Sequence, residues 1–330
     1  MASTEAPQVT APAATPSERT PVSQLLWQGG TLLALVALII LFGALRPGAF
    51  LSFGNVRNIL AQIAILAIIA AAQTVVMVVG DFDLSVGVTA TLAGASASAL
   101  MVAGWSIPLA VLAGLVVGTL VGVLNGILVA YMNLSAFVAT LATLTSVGGL
   151  AFIVTGGTTL YGMPDDFSVI GQSRPLGLTL PIFFAVIVTL AVWAVLRFTT
   201  LGRRWYAVGG SAEVARLSGV NVRLARFLAF TVAGFLSAIG GIILVSRLAS
   251  ASATSANNYM LLAVAAVFLG MTLLRSGAAN VGGTLVGVGI IGVMSNGLNI
   301  VGVSAYFQQV LTGIIIIAAV TLSSLKSRER

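Results

Sequence analysis

The chain contains no cysteine and no histidine. Disulfides, thiol chemistry, imidazole acid–base catalysis and the usual zinc ligand sets are therefore excluded, and no metal site is expected. Only one lysine occurs, Lys326, and Leu325 precedes it. A G-x-x-x-x-G-K-[ST] phosphate loop needs a glycine there, so the sequence has none; if ATP drives this protein, another chain hydrolyses it. Charge is scarce too, at 7% Asp, Glu, Lys and Arg. With so few acids and bases the chain does not read as an enzyme, and it is expected to bind no cofactor.

Apolar residues fill the space those absences leave. Hydrophobic residues make up 58% of the 330, and mean hydropathy is +1.11, more than one soluble core can hide. Fold class follows: an all-α polytopic membrane protein. The apolar stretches are continuous rather than alternating, which favours helices over an outer-membrane barrel. Residues 1–24 are rich in Ala, Pro, Ser and Thr and read as a disordered tail. The first apolar run begins near Leu25 and is too long and too late for a cleaved secretory signal. Residues 25–325 form the membrane domain, and 326–330 are a short charged tail. About ten membrane segments are expected, near 25–45, 57–79, 84–103, 107–130, 134–155, 179–198, 226–246, 259–274, 281–299 and 305–322, each needing ~20 residues to cross ~30 Å of hydrocarbon.

An even number of crossings puts both termini on one side. Arg19, the stretch 199–226, Arg275, Lys326, Arg328 and Arg330 all fall there, and by the positive-inside rule that side is the cytoplasm. The net charge of +7 is read as this topology signal rather than as a nucleic-acid patch. Gly156 to Thr179, with Asp165, Asp166 and Arg174, falls on the other side. Arg46 and Arg57 fit the scheme poorly and raise the alternative that 84–103 is re-entrant or discontinuous.

Three features stand out against this background. Thr199–Arg226 is a polar island holding five of the fourteen arginines and one acid, Glu213. Within it Ser211–Leu217 reads as a short amphipathic helix with Glu213 and Arg216 at i, i+3. It is either a surface helix or, given the flanking glycines, an element that projects into a partner's groove. Gly80–Gly87, GDFDLSVG, carries Asp81 and Asp83 between two apolar runs. Such acids either sit at a break in a membrane helix or cap a helix from a cytoplasmic loop. The third feature is GTLVGV at 118–123 and again at 283–288, each followed by Asn-Gly (Asn125, Asn296) and by Ser-Ala-aromatic, which suggests two related halves; recurring small residues at helix contacts are the alternative. Gln62, Gln73, Asn125, Thr140, Thr143, Asn296, Asn299, Gln308 and Gln309 lie in or beside apolar runs. As uncharged hydrogen-bonding groups they suit a neutral polar solute better than an ion. Trp27, Trp105 and Trp193 lie near run ends as interfacial anchors.

Four of these blocks together resemble the membrane permeases of ribose-type bacterial ABC importers: GDFDLSVG at 80–87, NGILVAYMNLSAFVATLAT at 125–143, TTLGRRWYAVGGSAEVARLSGVNV at 199–222, and Gly282–Gly313. The resemblance implies import of a monosaccharide or similar solute across the bacterial inner membrane. Its implied partners are a separate ABC ATPase subunit, a second permease copy or paralogue forming a dimer, an extracytoplasmic substrate-binding protein and membrane lipid, with no nucleic acid. It implies that Gly210, Glu213, Ala215, Arg216 and Gly219 contact the ATPase. Asp83, Ser85, Asn125, Thr140, Asn296 and Gln308 are expected to line or shape the pathway. The sequence departs from the family pattern at Ser135-Ala136, where a proline is usual, at Gly148, at Asn258–Leu262 and at Met271–Ser276. The rival reading is an ion-coupled transporter with Asp81 or Asp83 as proton site; a passive channel is the third.

Overall fold

A computed structural model describes residues 21–271, 277–304, 306–311, 313–314 and 317, with side chains from residue 31 onward. Most of the 1–24 tail, Arg19, Arg275, the 326–330 tail and half of the 305–322 segment lie outside the described residues. Apolar sequence, proline at helix starts and Ser, Thr or Asn caps together set the elements. They are α1 (Pro21–Leu45), α2 (Pro47–Phe50), α3 (Phe53–Val78), α4 (Val86–Val102), α5 (Ile107–Ala130), α6 (Ala136–Thr155), α7 (Asp165–Gln172), α8 (Leu180–Phe198), α9 (Thr200–Gly210), α10 (Ala212–Leu217), α11 (Val222–Leu248), α12 (Asn257–Met271) and α13 (Val281–Val301). Pro47, Pro108 and Pro181 stand in first turns, where a missing N–H costs nothing. Ser52, Ser135, Asn221 and Asn280 accept a first-turn N–H at 2.7–3.3 Å. Gly156 and Gly302 end α6 and α13 in the left-handed region, at φ 62° and 89°.

The all-helical expectation holds. Among the described residues there is no strand, only one isolated antiparallel bridge between Leu160 and Ala251. Among the described residues six helices (α3, α5, α6, α8, α11, α13) are long and apolar enough to cross a membrane, and α4, α12 and Thr31–Leu45 of α1 are shorter apolar helices. Within the 84–103 segment Val86–Val102 is one unbroken helix, and a break precedes it. One sequence expectation is corrected: Pro21 to Gln24 belong to α1 rather than to the tail. The 156–179 stretch contains α7, whose Phe167 is fully buried beneath the end of α11, where its carbonyl accepts the Ser246 hydroxyl at 2.6 Å.

At the centre α3 and α11 cross antiparallel near Gly240 and Ile69; a Cβ on Gly240 would stand 2.8 Å from Ile69. Around them the pairings come in matched sets. α3 packs on α12 and α13 while α11 packs on α4 and α5, and α4 lies against α5 as α12 lies against α13. α3 and α11 run in opposite senses, so the sets are inverted with respect to each other. Between α5 and α11, and between α12 and α13, the helix backbones nearly touch. Gly118, Gly122 and Gly126, one turn apart on α5, face Ala238, Gly234, Phe230 and Phe227 of α11. Gly283 and Gly287 of α13 face Gly270 and Ala266 of α12. Small residues are what such approach requires, because lipid offers no hydrophobic drive for helix association.

The polar island and the α7 loop lie at opposite ends of α8, a helix ~28 Å long at ~1.5 Å per residue. Gly122→Val is expected to destabilise the protein by about 1–3 kcal/mol, since the new side chain meets the Phe230 carbonyl and the Gly234 backbone. Gly149→Ala, on open α6 surface with nothing within 4 Å of the added Cβ, is expected to raise the midpoint slightly through helix propensity. Thermal unfolding of the detergent-solubilised protein compares them.

Candidate functional site

The sequence motif GDFDLSVG folds as a break between α3 and α4. Gly80 turns the chain at φ +85°, a conformation that favours glycine, while Gly87 lies inside α4 and lets Ala256 and Asn257 approach. Backbone groups freed by the break are met by side chains. The Leu84 N–H donates to Thr140 Oγ1 at 3.1 Å, and that hydroxyl donates to the Ala136 carbonyl at 2.7 Å. The Ser85 N–H donates to Asp83 Oδ1 at 2.7 Å.

A directed chain of hydrogen bonds runs on from Asp83. The Ser85 hydroxyl donates to Asp83 Oδ1 at 2.6 Å, Asn125 Nδ2 donates to Ser85 Oγ at 2.8 Å, and the Thr143 hydroxyl donates to Asn125 Oδ1 at 2.6 Å. Four of the six candidate pathway residues, Asp83, Ser85, Asn125 and Thr140, thus converge in one cluster that ties α4, α5 and α6 together. All four are buried, Asp83 at 2% exposure and the others at 0%. They therefore shape this region rather than face an open passage in this conformation. Asp83 does not cap α4 from a solvated loop: Ser85 is the N-cap residue, and the carboxylate holds Ser85.

Asp81 has a separate partner. Its Oδ2 lies 3.1 Å from Arg226 Nε at the start of α11, with the two side chains 11% and 33% exposed. The approach misses hydrogen-bonding angles, so the contact is one of charge. Burial pushes the Asp81 carboxyl above the usual carboxylate range and the Arg226 charge pulls it back.

Asn296 and Gln308 lie elsewhere. Asn296 exchanges two 3.0 Å amide hydrogen bonds with Asn55 in the first turn of α3, roughly 35 Å along that helix from the break. Asn55 was not among the sequence candidates, and its only signal was an amide beside an apolar run. Gln308 donates to Asn299 Oδ1 at 2.8 Å and to the Val303 carbonyl at 3.0 Å. It lines a half-open cavity of about 380 Å³ with Asn258, Ser295, Tyr306 and Gln309, and among the described residues no lining side chain is charged. Gln73 is fully buried in α3, and its amide has no hydrogen-bond partner among the described residues.

In the polar island, α9 is bound to the bundle. Trp205 Nε1 donates to the Ala225 carbonyl at 2.9 Å and the Tyr206 hydroxyl donates to the Ala279 carbonyl at 3.1 Å. Gly209 lies against the Val78 carbonyl at the very end of α3, where any Cβ would collide. α10 projects. Ser211 caps it, the left-handed Gly219 (φ +83°) follows it, and Glu213 and Arg216 form a 2.7 Å ion pair with both side chains about two-thirds exposed. Gly210 is exposed with open space around it. Ala215 turns inward at 3% exposure, whereas Val214 and Leu217, absent from the candidate set, are 61% and 77% exposed. The outward face is therefore an ion pair flanked by two bare apolar side chains.

A bundle of membrane-length helices with a buried polar break, an uncharged cavity toward one end and a projecting helix at the other defines a membrane transport protein. The chain belongs to the family described as branched-chain amino acid transport system / permease component, which matches residues 55–320, a family of transport components and not of enzymes. The ribose import permease protein RbsC of Bacillus subtilis (strain 168) is 39% identical over 300 residues, covering 90% of this chain and 93% of its own. That of Escherichia coli (strain K12) is 38% identical over 305 residues, covering 91% and 95%. The D-allose transport system permease protein AlsC of Escherichia coli (strain K12) is 32% identical over 315 residues, covering 94% and 97%. No solved structure matches.

The two amide sites are expected to be energetically independent. Asn125→Leu removes the donor to Ser85 Oγ and one acceptor of the Thr143 hydroxyl, and Asn296→Leu leaves Asn55 Oδ1 without its donor, each at about 1–3 kcal/mol. Their double variant should show the sum, whereas Asn125→Leu with Thr143→Val should cost less than its sum because the two share one bond. Unfolding midpoints of the single and double variants check this.

Proposed function

We propose that this protein is the membrane subunit of an ABC importer that moves a monosaccharide or similar small neutral polar solute into the cytoplasm. A separate ATPase subunit supplies the energy, and an extracytoplasmic binding protein delivers the solute. Two permeases, identical or paralogous, form the membrane unit, each with about ten crossings arranged as two inverted halves. Both termini and the 199–226 island face the cytoplasm.

The observation that carries this reading is the α9–α10 element. Its exposed ion pair and apolar side chains suit a groove in another protein. Its other side rests on the end of α3 through Gly209, and the chain leaving it enters α11 beside the Arg226–Asp81 contact. A partner closing on Gly210, Glu213, Arg216 and Gly219 would thus push on the two central helices, with Ala215 anchoring α10 from within. Asp83, Ser85, Asn125 and Thr140 keep the α3–α4 break rigid enough to transmit that push, and Asn296 braces α3 at its far end. Gln308 and its neighbours line the solute's route.

For the substrate, the family's description points to amino acids and the named relatives carry ribose and allose. The uncharged lining around Gln308 favours the sugar, since an amino acid's carboxylate and ammonium would lack counter-charges there. An ion-coupled mechanism is disfavoured because Asp81 is paired with Arg226 and Asp83 is closed off.

In a reconstituted complex, Glu213→Arg with Leu217→Asp is expected to abolish ATP-driven uptake and co-purification of the ATPase while the unfolding midpoint stays within a few degrees. Uptake that persists, or that collapses with a protonophore but ignores vanadate, overturns the ABC reading. Gln308→Leu is expected to lower uptake at limiting solute several-fold with ATPase binding intact, and unchanged uptake removes Gln308 from the route.

A further inference from the structure

On the island side of the bundle a cavity of about 680 Å³ opens between the end of α8, α9 and the start of α13, within the size range of ligand pockets. Arg197, in the last turn of α8, and Arg203, in the first turn of α9, both line it, and among the described residues no acidic one does. Among the described residues neither guanidinium has an ion-pair or hydrogen-bond partner; the recorded ion pairs belong to Arg216 and Arg226. Its deeper wall is different. Trp193 and Leu196 also line the cavity, and Trp193, one turn further into the apolar helix than Arg197, stacks edge-to-face on Phe198 at 5.1 Å between ring centroids. Charge at the mouth and aromatic surface one turn below is the profile of an amphiphile lying along a helix at the membrane interface.

We propose that this cavity binds the headgroup of an anionic glycerophospholipid, with Arg197 and Arg203 on its phosphate and the acyl chains running past Trp193. The site rests on the reading that the island faces the cytoplasmic leaflet, whose anionic lipids attract basic residues there. A free phosphate would use the two arginines but leave the Trp193 and Leu196 wall without a role. A protein partner would meet a recess rather than the projecting α10. The bound lipid would also brace the coupling element: Tyr206 lines the same cavity and donates to Ala279, so an occupied site joins α8, α9 and α13 where α9 transmits force.

The test is lipid binding itself, so a failure of the transport reading leaves it intact. Purified full-length protein in neutral detergent is titrated with phosphatidylglycerol and followed by native mass spectrometry. Arg197→Gln with Arg203→Gln is expected to weaken binding about thirty-fold (~2 kcal/mol, ~1 per arginine). Arg204→Gln with Arg223→Gln, two exposed arginines outside the cavity, removes the same charge and should change binding less than two-fold. Trp193→Ala should weaken phosphatidylglycerol binding without removing charge. Equal losses in both arginine doubles, or unaltered binding in the Trp193 variant, overturn the proposal. So does competition by glycerol phosphate at the lipid's own affinity, which marks a free-phosphate site. Loss of ATPase binding in the Arg197/Arg203 double with lipid retained overturns it too, because the cavity is then a protein contact.

Discussion

Helices in a bilayer gain nothing from hiding apolar surface from lipid that is equally apolar, so this bundle is held by how closely its backbones approach. Where glycine removes the side chain, helix meets helix almost atom to atom: α5 on α11 along Gly118, Gly122 and Gly126, and α12 on α13 at Gly270, Gly283 and Gly287. The same device appears outside the bundle's interior at Gly171, where α7 meets the end of α11, at Gly202, where α9 meets α8, and at Gly209, where α9 touches the end of α3. A contact of backbone on backbone has no flexible side chain to absorb a displacement. Glycine is thus the means by which α9 is stiffly joined to a core helix.

Polar groups follow a complementary rule. With no water at membrane depth, an unbonded amide or hydroxyl costs several kcal/mol, so a break in a helix must be accompanied by nearby side chains that replace the lost bonds. Thr140 and Asp83 do this for the N–H groups of Leu84 and Ser85, and Asn125 and Thr143 extend the bonding so that the hydroxyls of Ser85, Thr140 and Thr143 are all engaged. Asn125 lies between Gly122 and Gly126, which set α5 against α11, and its own amide reaches Ser85 at the break and Thr143 of α6.

Much of this was legible in the sequence because membrane constraints are severe. Uninterrupted apolar length marks a helix, and nine of the ten expected segments match a helix to within about four residues at either end. Asp81 and Asp83 were conspicuous as the only acids between two apolar runs, and Asn125 and Thr140 were conspicuous as polar residues within them. Their convergence was not legible, since it depends on how far α4 begins below the end of α5, which no periodicity encodes. Asn296 shared with Asn125 a local pattern but not a location, because the two GTLVGV-Asn-Gly runs sit in helices with different neighbours. Val214 and Leu217 were missed for another reason. In a chain this apolar, a bare Val or Leu carries no signal until the structure shows that its helix stands outside the membrane bundle, with Ala215 as the inward residue.

The inverted pairing of α3, α4 and α5 with α11, α12 and α13 gives the GTLVGV recurrence its physical meaning. In each set the glycines of one copy let a helix lie against a partner, and the asparagine that follows bonds an amide or hydroxyl on a neighbouring helix: Ser85 and Thr143 for Asn125, Asn55 for Asn296. Because the sets are inverted, the first amide lies near the island and the second near the opposite face. One local design, used twice in opposite orientations, therefore locks both ends of the bundle while leaving its middle, the crossing of α3 and α11 at Ile69 and Gly240, with few side-chain hydrogen bonds. With the ends fastened and the middle smooth, a rotation of the two central helices about their crossing is the motion these hydrogen bonds oppose least.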